Sequence, residues 1–221
     1  MLLYLALILL SIILFVLVLI VYLAYVGYVQ HPYFKPSLAL SLSREEREKN
    51  FFVIGKNRLR LSEKGHWELY IEGEPFDRGI IIGKLTRELF YKQEDALKKE
   101  IKNYVPFIIY KQILVVIVAW INRNISKKIP EEYLAEIYGI AVSLNLKYFY
   151  RNYKYFKMLN YHAAHDIGHA LANLNLVGCT SFSVKGSKTY DGNVISGRNF
   201  DFHFGDDFSK EKIIAFYSPS K

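Results

Sequence analysis

No aspartate, glutamate, lysine or arginine occurs before Lys35. Leu2 to Val26 is an almost unbroken run of Leu, Ile, Val, Ala, Phe and Tyr. At 1.5 Å rise per residue, about 25 helical residues cover roughly 37 Å, more than the ~30 Å hydrocarbon core of a bilayer. Tyr22, Tyr25 and Tyr28 stand toward the far end, where aromatic belts form. A cleaved signal peptide would have a shorter apolar stretch, a basic start and a small-residue cleavage site. Here the stretch is long, the start is uncharged, and Tyr25-Val26-Gly27 is a poor site. Residues 1–29 are therefore expected to form an uncleaved single-pass membrane anchor. Lys35, Arg44, Arg47 and Lys49 all follow the span, so the positive-inside rule, taken literally, leaves the remainder in the cytoplasm. Only Met1 precedes the span, and the side of the membrane stays open.

Composition excludes several classes. A length of 221 residues allows one domain plus extras, or two small domains. With 52% apolar and 23% charged residues, a disordered polyelectrolyte is ruled out. Lys plus Arg is 29 against 21 Asp plus Glu, a net +8 that favours anionic lipid or nucleic acid without choosing between them. The tyrosines between Lys147 and Tyr161 alternate with Arg151, Lys154 and Lys157, like a stacking surface for single strands. At helical spacing they are better explained as core plus a lysine-rich surface, and no nucleic-acid partner is expected. Cys179 is the one cysteine. That excludes an internal disulfide and a multi-cysteine zinc or iron–sulfur site. It leaves an inert buried thiol or a nucleophile.

Residues 30–50 are expected to be a linker, with Pro32, Pro36 and a solvated charge run at Glu45–Lys49. Residues 51–178 are expected to be mainly helical after a strand-rich start. Arg58-Leu-Arg-Leu and Trp67-Glu-Leu-Tyr-Ile alternate around Glu63-Lys64-Gly65, a hairpin pattern. Pro75 opens a helix expected to run past Leu97. Pro106 and Pro130 punctuate two more helical stretches, and a fourth covers about Asn152 to Asn175. Ile113 to Ile121 is wholly apolar and too short to span a bilayer. A buried core helix is expected there, with an interfacial, lipid-dipping helix as the alternative. From Cys179 the pattern becomes strand, Tyr190-Asp191-Gly192-Asn193 turn, and returning strand, since Asp-Gly is a strong hairpin signal. Lys212-Ile-Ile-Ala-Phe-Tyr is expected to be a third strand beside that hairpin. Residues 179–221 would then begin a sheet that is incomplete, as in the front part of a longer protein.

The chemistry centres on Val177-Gly178-Cys179-Thr180 and Gly197-Arg198-Asn199-Phe200-Asp201. A cysteine just after a glycine can attack the preceding carbonyl, because glycine adds no bulk there. Hydrolysis of the resulting thioester leaves Cys179 as a new N-terminus. An α-amino group, with a pKa of about 7.7–8.0, suits deprotonation of a neighbouring thiol near neutral pH. Such a site needs a cation near the thiolate and developing oxyanion, and an acceptor to orient the ammonium. Antiparallel strands lie about 4.8 Å apart, so Arg198 and Asp201 on the returning strand can approach Cys179. Their odd separation puts them on opposite faces of a regular strand, so both reach the cysteine only if the strand ends or bulges between them.

Gly178-Cys179-Thr-Ser-Phe182, an Asp-Gly turn and Gly197-Arg198-Asn-Phe-Asp201 together resemble the nucleophile hairpin of N-terminal nucleophile hydrolases. The likeness is closest to the self-cleaving acyl-coenzyme A:6-aminopenicillanic-acid acyltransferase family. Choloylglycine hydrolases and acid-ceramidase-like amidases are more distantly similar. Gly73-Glu-Pro75-Phe-Asp-Arg-Gly79-Ile-Ile-Ile-Gly83 resembles that family's pro-region, in which Gly-x-Pro opens a helix with glycines four apart. The resemblance runs from about Trp67 onward. It implies an α+β protein in which an N-terminal transmembrane helix and a helical pro-region precede the beginning of an αββα sandwich. It implies Cys179 as nucleophile, Gly178–Cys179 as the self-cleaved bond, and Arg198 and Asp201 as assistants. It implies no cofactor, and an acyl amide or acyl-coenzyme A substrate, including a lipid-like one. Relatives also use an asparagine well downstream of any position in this chain.

A second constellation is Tyr161-His162-Ala-Ala-His165-Asp166-Ile-Gly-His169. His165 and His169 are one helical turn apart, as in HExxH zinc helices, with Asp166 in place of the glutamate. His162, His165 and His169 rise about 10.5 Å end to end on a straight helix, too far for three ligands to one ion at about 2.0–2.1 Å. Three readings stay open: a polar buried helix face, help in self-cleavage, or a zinc site on His165 and His169.

Overall fold

The computed structural model describes residues 2–29, 37–144, 151–163, 177–202 and 205–219. The protein is mixed α/β behind an N-terminal apolar helix, α1 (Leu2–Val29). Leu3–Tyr22 is long and apolar enough to cross a membrane, and none of it is buried against the body. Length and composition alone fit a signal sequence equally well.

The body begins with an antiparallel meander of β1 (Glu45–Glu48), β2 (Phe51–Ile54), β3 (Asn57–Leu61) and β4 (Trp67–Gly73). The expected hairpin forms, with Leu61 opposite Trp67 and Gly65 at φ +83° in the turn. Alternation in β4 buries Trp67, Leu69 and Ile71. They pack on Ile80, Ile81, Ile82 and Leu85 of α2 (Pro75–Leu85). Full burial of each such aliphatic side chain contributes roughly 1.5–3 kcal/mol. Pro75 occupies the first turn of α2, where its missing N–H costs nothing.

The helix from Pro75 does not run unbroken past Leu97. It ends at Leu85, and α3 (Arg87–Tyr104) starts after Thr86. The Thr86 hydroxyl donates to the Ile82 carbonyl at 2.8 Å, side-chain back-bonding of the kind that bends helices. After α4 (Ile108–Ile121), α5 (Glu131–Ser143) and α6 (Arg151–His162) build a second core from Ile137, Tyr138, Leu144, Tyr155 and Leu159. Gly79 of α2 and Gly139 of α5 have a packing role. A methyl group at Gly79 would overlap the Glu136 carbonyl, and one at Gly139 would overlap the Phe76 carbonyl. These glycines let α2 and α5 touch backbone to backbone. Arg78 then pairs with Glu136 across the crossing and donates to the Gly73 carbonyl at 3.2 Å.

Three further expectations are corrected. The linker does not extend through residues 37–50. Ser37 caps a 3₁₀ turn at Leu38–Leu40 and bonds Asp77, and the Lys84 ammonium donates to the Ala39, Leu40 and Leu42 carbonyls at 2.9, 2.7 and 2.6 Å. The charge run forms edge strand β1, with an exposed pattern throughout. The apolar run in α4 is not core: Ile113, Ile117, Trp120 and Ile121 are exposed.

The third correction concerns the end of the chain. β5 (Val177–Gly186) and β6 (Gly192–Phe202) form their own two-stranded sheet. After a short helix, α7 (Asp206–Ser209), β7 (Ile213–Pro219) pairs in parallel with β4, from Trp67↔Ile213 to Gly73↔Pro219. It completes a sheet of order β1-β2-β3-β4-β7 and is not the hairpin's third strand. Trp67 Nε1 donates to Glu211 at 2.5 Å, and Lys92 pairs with the same carboxylate. These contacts fix the chain as it enters β7.

Candidate active site

The β5–β6 hairpin turns where Asp191-Gly192 marks it. Gly186 and Gly192 face each other at φ +66° and +75°, values that favour glycine. Asp191 accepts from the Asn193 side chain at 2.7 Å and its backbone N–H at 3.1 Å. Those two hydrogen bonds hold its carboxyl below the ordinary value. The ladder then runs without irregularity from Val184↔Ile195 to Val177↔Phe202. Its register sets the site.

Cys179 lies opposite Phe200, and Ser181 lies opposite Arg198. Residues two apart share a strand face, so Cys179, Ser181, Ser183, Ser196 and Arg198 belong to one face. Arg198 is the diagonal neighbour of Cys179, within reach of a long side chain. Its Nη2 donates to Cys179 Sγ at 3.2 Å. Ser183 and Ser196 hydroxyls are 3.0 Å apart on the same face. Cys179 is exposed. A guanidinium touching an accessible sulfur can hold negative charge on sulfur or on an oxygen formed beside it.

Asp201 lies opposite Gly178, so its Cα is about 5 Å from that of the glycine. The bulge needed to bring Arg198 and Asp201 to one face is absent from the described ladder. The register shift recorded in this hairpin is between Val184 and Gly186, beside the turn. The structure thus joins Cys179 to Arg198 and sets Asp201 at the register of the residue preceding the nucleophile. On the other face Phe182 lies over Gly197, and Phe182 and Ile195 are both exposed beside the Thr180–Asn199 pair.

Sequence reading overlooked Ser181 as the residue directly opposite Arg198. The turn position carried the signal, because it fixes every cross-strand pair. A shallow depression of about 390 Å³ lies between α3 and the α7 segment, away from the cysteine. Lys92, Gln93, Lys99, Asp207 and Glu211 line it, with Lys99 paired to Asp207 at 2.6 Å.

His162 closes α6, with Nδ1 2.8 Å from the Met158 carbonyl of its own helix. His165, Asp166 and His169 lie outside the described residues. Among the described residues no group of three or more His, Cys, Asp or Glu side chains could hold a metal. In α6 Tyr155 is core as expected, but Lys157 is not a surface lysine. It pairs with buried Glu94, which also accepts from Lys98 at 2.8 Å and from Tyr161 at 3.0 Å. Burial pushes Glu94 up, yet hydrogen bonds from Lys157, Lys98 and Tyr161 outweigh it and hold the carboxyl below its ordinary value. Comparison with family models, curated proteins and solved structures finds no match to this chain.

Proposed function

We propose that this protein is a membrane-anchored, self-processing cysteine amidohydrolase or acyltransferase of the N-terminal nucleophile type. The observation that carries this reading is the 3.2 Å contact from Arg198 Nη2 to the exposed Cys179 Sγ, directly after a glycine. In the first step the Cys179 sulfur attacks the Gly178 carbonyl carbon. The carbon–nitrogen bond breaks, the nitrogen takes up a proton, and Gly178 is left as a thioester. Water then attacks the thioester carbon, releasing the Gly178 carboxylate and a free thiol. The freed strand end carries the new α-amine, and Asp201, at the register of Gly178, is the acceptor assigned to orient it.

In the second reaction the α-amine takes the thiol proton and the sulfur attacks an amide carbonyl. Arg198 balances the charge, the amine leaves with a proton, and water or another amine takes the acyl group from sulfur. The exposed Phe182 and Ile195 side chains support a layered sandwich, since a lone two-stranded hairpin is marginal in water. In this reading further strands and a helical layer cover it. Mass spectrometry of the full-length protein checks the first step. The expected result is a break between Gly178 and Cys179 that Cys179→Ala abolishes. An intact chain whose amidase activity survives that substitution overturns the proposal.

A further inference from the structure

α4 is apolar nearly all round, and one of its apolar faces is turned outward. Tyr110, Ile113, Ile117 and Trp120 recur at spacings of three and four and are all exposed. Leu114 and Val118 are partly buried. Phe107, Ile108, Ile109 and Ile121 extend the outward apolar surface. With 14 residues, α4 is about 21 Å long, too short to cross a bilayer.

Two observations identify what covers this surface. First, α4 contacts α1, the helix long and apolar enough to enter a membrane. Second, no acidic residue occurs between Glu100 and Glu131, whereas Lys102, Lys111, Arg123, Lys127 and Lys128 all do. The Arg123 guanidinium lies 4.3 Å over the Trp120 ring, setting a cation beside an aromatic at one end of the stripe. Exposed apolar rings and branched chains flanked by cations suit the boundary between anionic headgroups and acyl chains.

We infer that α4 is a second membrane contact, lying in the plane of the bilayer that α1 enters, with its Tyr110–Ile113–Ile117–Trp120 stripe about 5–10 Å below the headgroups. The body is thereby held at one orientation to the membrane. The inference rests on α1 entering the bilayer and not on the chemistry of Cys179.

The sequence supplies its own reporter. Of the two tryptophans, Trp67 is buried in the sheet core and Trp120 lies on the stripe, while α1 has none. The full chain is reconstituted in phosphatidylcholine–phosphatidylglycerol vesicles, plain or with bromines at shallow or deep acyl positions. Trp120 emission is expected to fall at least twofold with shallow bromines and less with deep ones. Trp120→Phe should remove the quenchable part. The double substitution Ile113→Glu and Ile117→Glu should abolish quenching, while the chain still floats with vesicles through α1. Flotation with no difference between brominated and plain lipid overturns the inference and leaves the anchor standing. So does shielding of Trp120 from aqueous acrylamide without bromine quenching, the result of burial by another copy or another segment. Failure to float at all overturns both the anchor and this contact.

Discussion

Arg198 touches the sulfur from a neighbouring strand, so its position depends on the ladder. Replacing it removes charge without altering the cysteine. Arg198→Gln is expected to slow appearance of the Cys179 N-terminus by about 10²–10³-fold, the size of effect seen when one oxyanion donor is lost. Arg198→Lys should recover part of the rate, since it keeps the charge and loses the planar fork. Equal rates in all three proteins would show that the contact is incidental. Glu94 allows a separate test of stability. Its carboxyl is held below the ordinary glutamate value in the folded protein, so its stabilising contribution is complete above that value. The contribution is lost as pH falls through the lower folded value. Glu94→Gln removes the charge that Lys157, Lys98 and Tyr161 all bond and should cost about 3 kcal/mol at neutral pH. Urea melts at several pH values should show the gap between wild type and variant closing in acid.

At the scale of elements, the glycines at the α2–α5 crossing act through space. Gly79→Ala or Gly139→Ala puts a methyl into a backbone carbonyl and should cost at least about 2 kcal/mol in thermal or urea unfolding. Gly55→Ala meets no neighbour but is strained by its φ of +58°, and should lose less. Local signals made much of this level legible in the sequence. Pro75 started a helix, Gly65 and Asp191-Gly192 turned hairpins, and alternation in Trp67–Ile71 chose the buried face. What the sequence concealed was non-local. No glycine or proline marks the break at Thr86, where a side chain bonds back to its own helix. Nothing near Ile213 indicates that its partner is Trp67, because a parallel pairing leaves no turn to read. The α4 run was legible as apolar, but composition does not say which side of a helix meets protein. The approach of Arg198 to Cys179 was legible because the turn fixes register. Asp201 takes the register position opposite Gly178, three residues on from Arg198 along an unbulged ladder.

For the whole molecule, the distance between membrane and body follows from the chain between them. Residues 30–36 alone separate α1 from the strapped segment that begins at Ser37. Eight Cα steps from Val29 to Ser37 reach at most about 28 Å, so the strapped start of the body stays within that reach of the end of α1. Under the proposed function, a long-chain acyl amide supplied from the membrane is the substrate to test. In the presence of vesicles, the full-length protein should turn over long-chain amides in preference to short-chain ones, and removing residues 1–30 should reduce that preference. An unchanged preference would make the helix an address only. The parallel pairing of β4 with β7 has one more consequence. The two strands stand on opposite sides of the Gly178–Cys179 bond in sequence, yet they share a seven-pair ladder reinforced by Trp67–Glu211, Lys92–Glu211 and Lys99–Asp207. A nicked molecule would therefore persist as a non-covalent heterodimer, the membrane-bound piece retaining the piece that bears the thiol. On a native gel the cut would leave no trace; the two polypeptides would part only in denaturant.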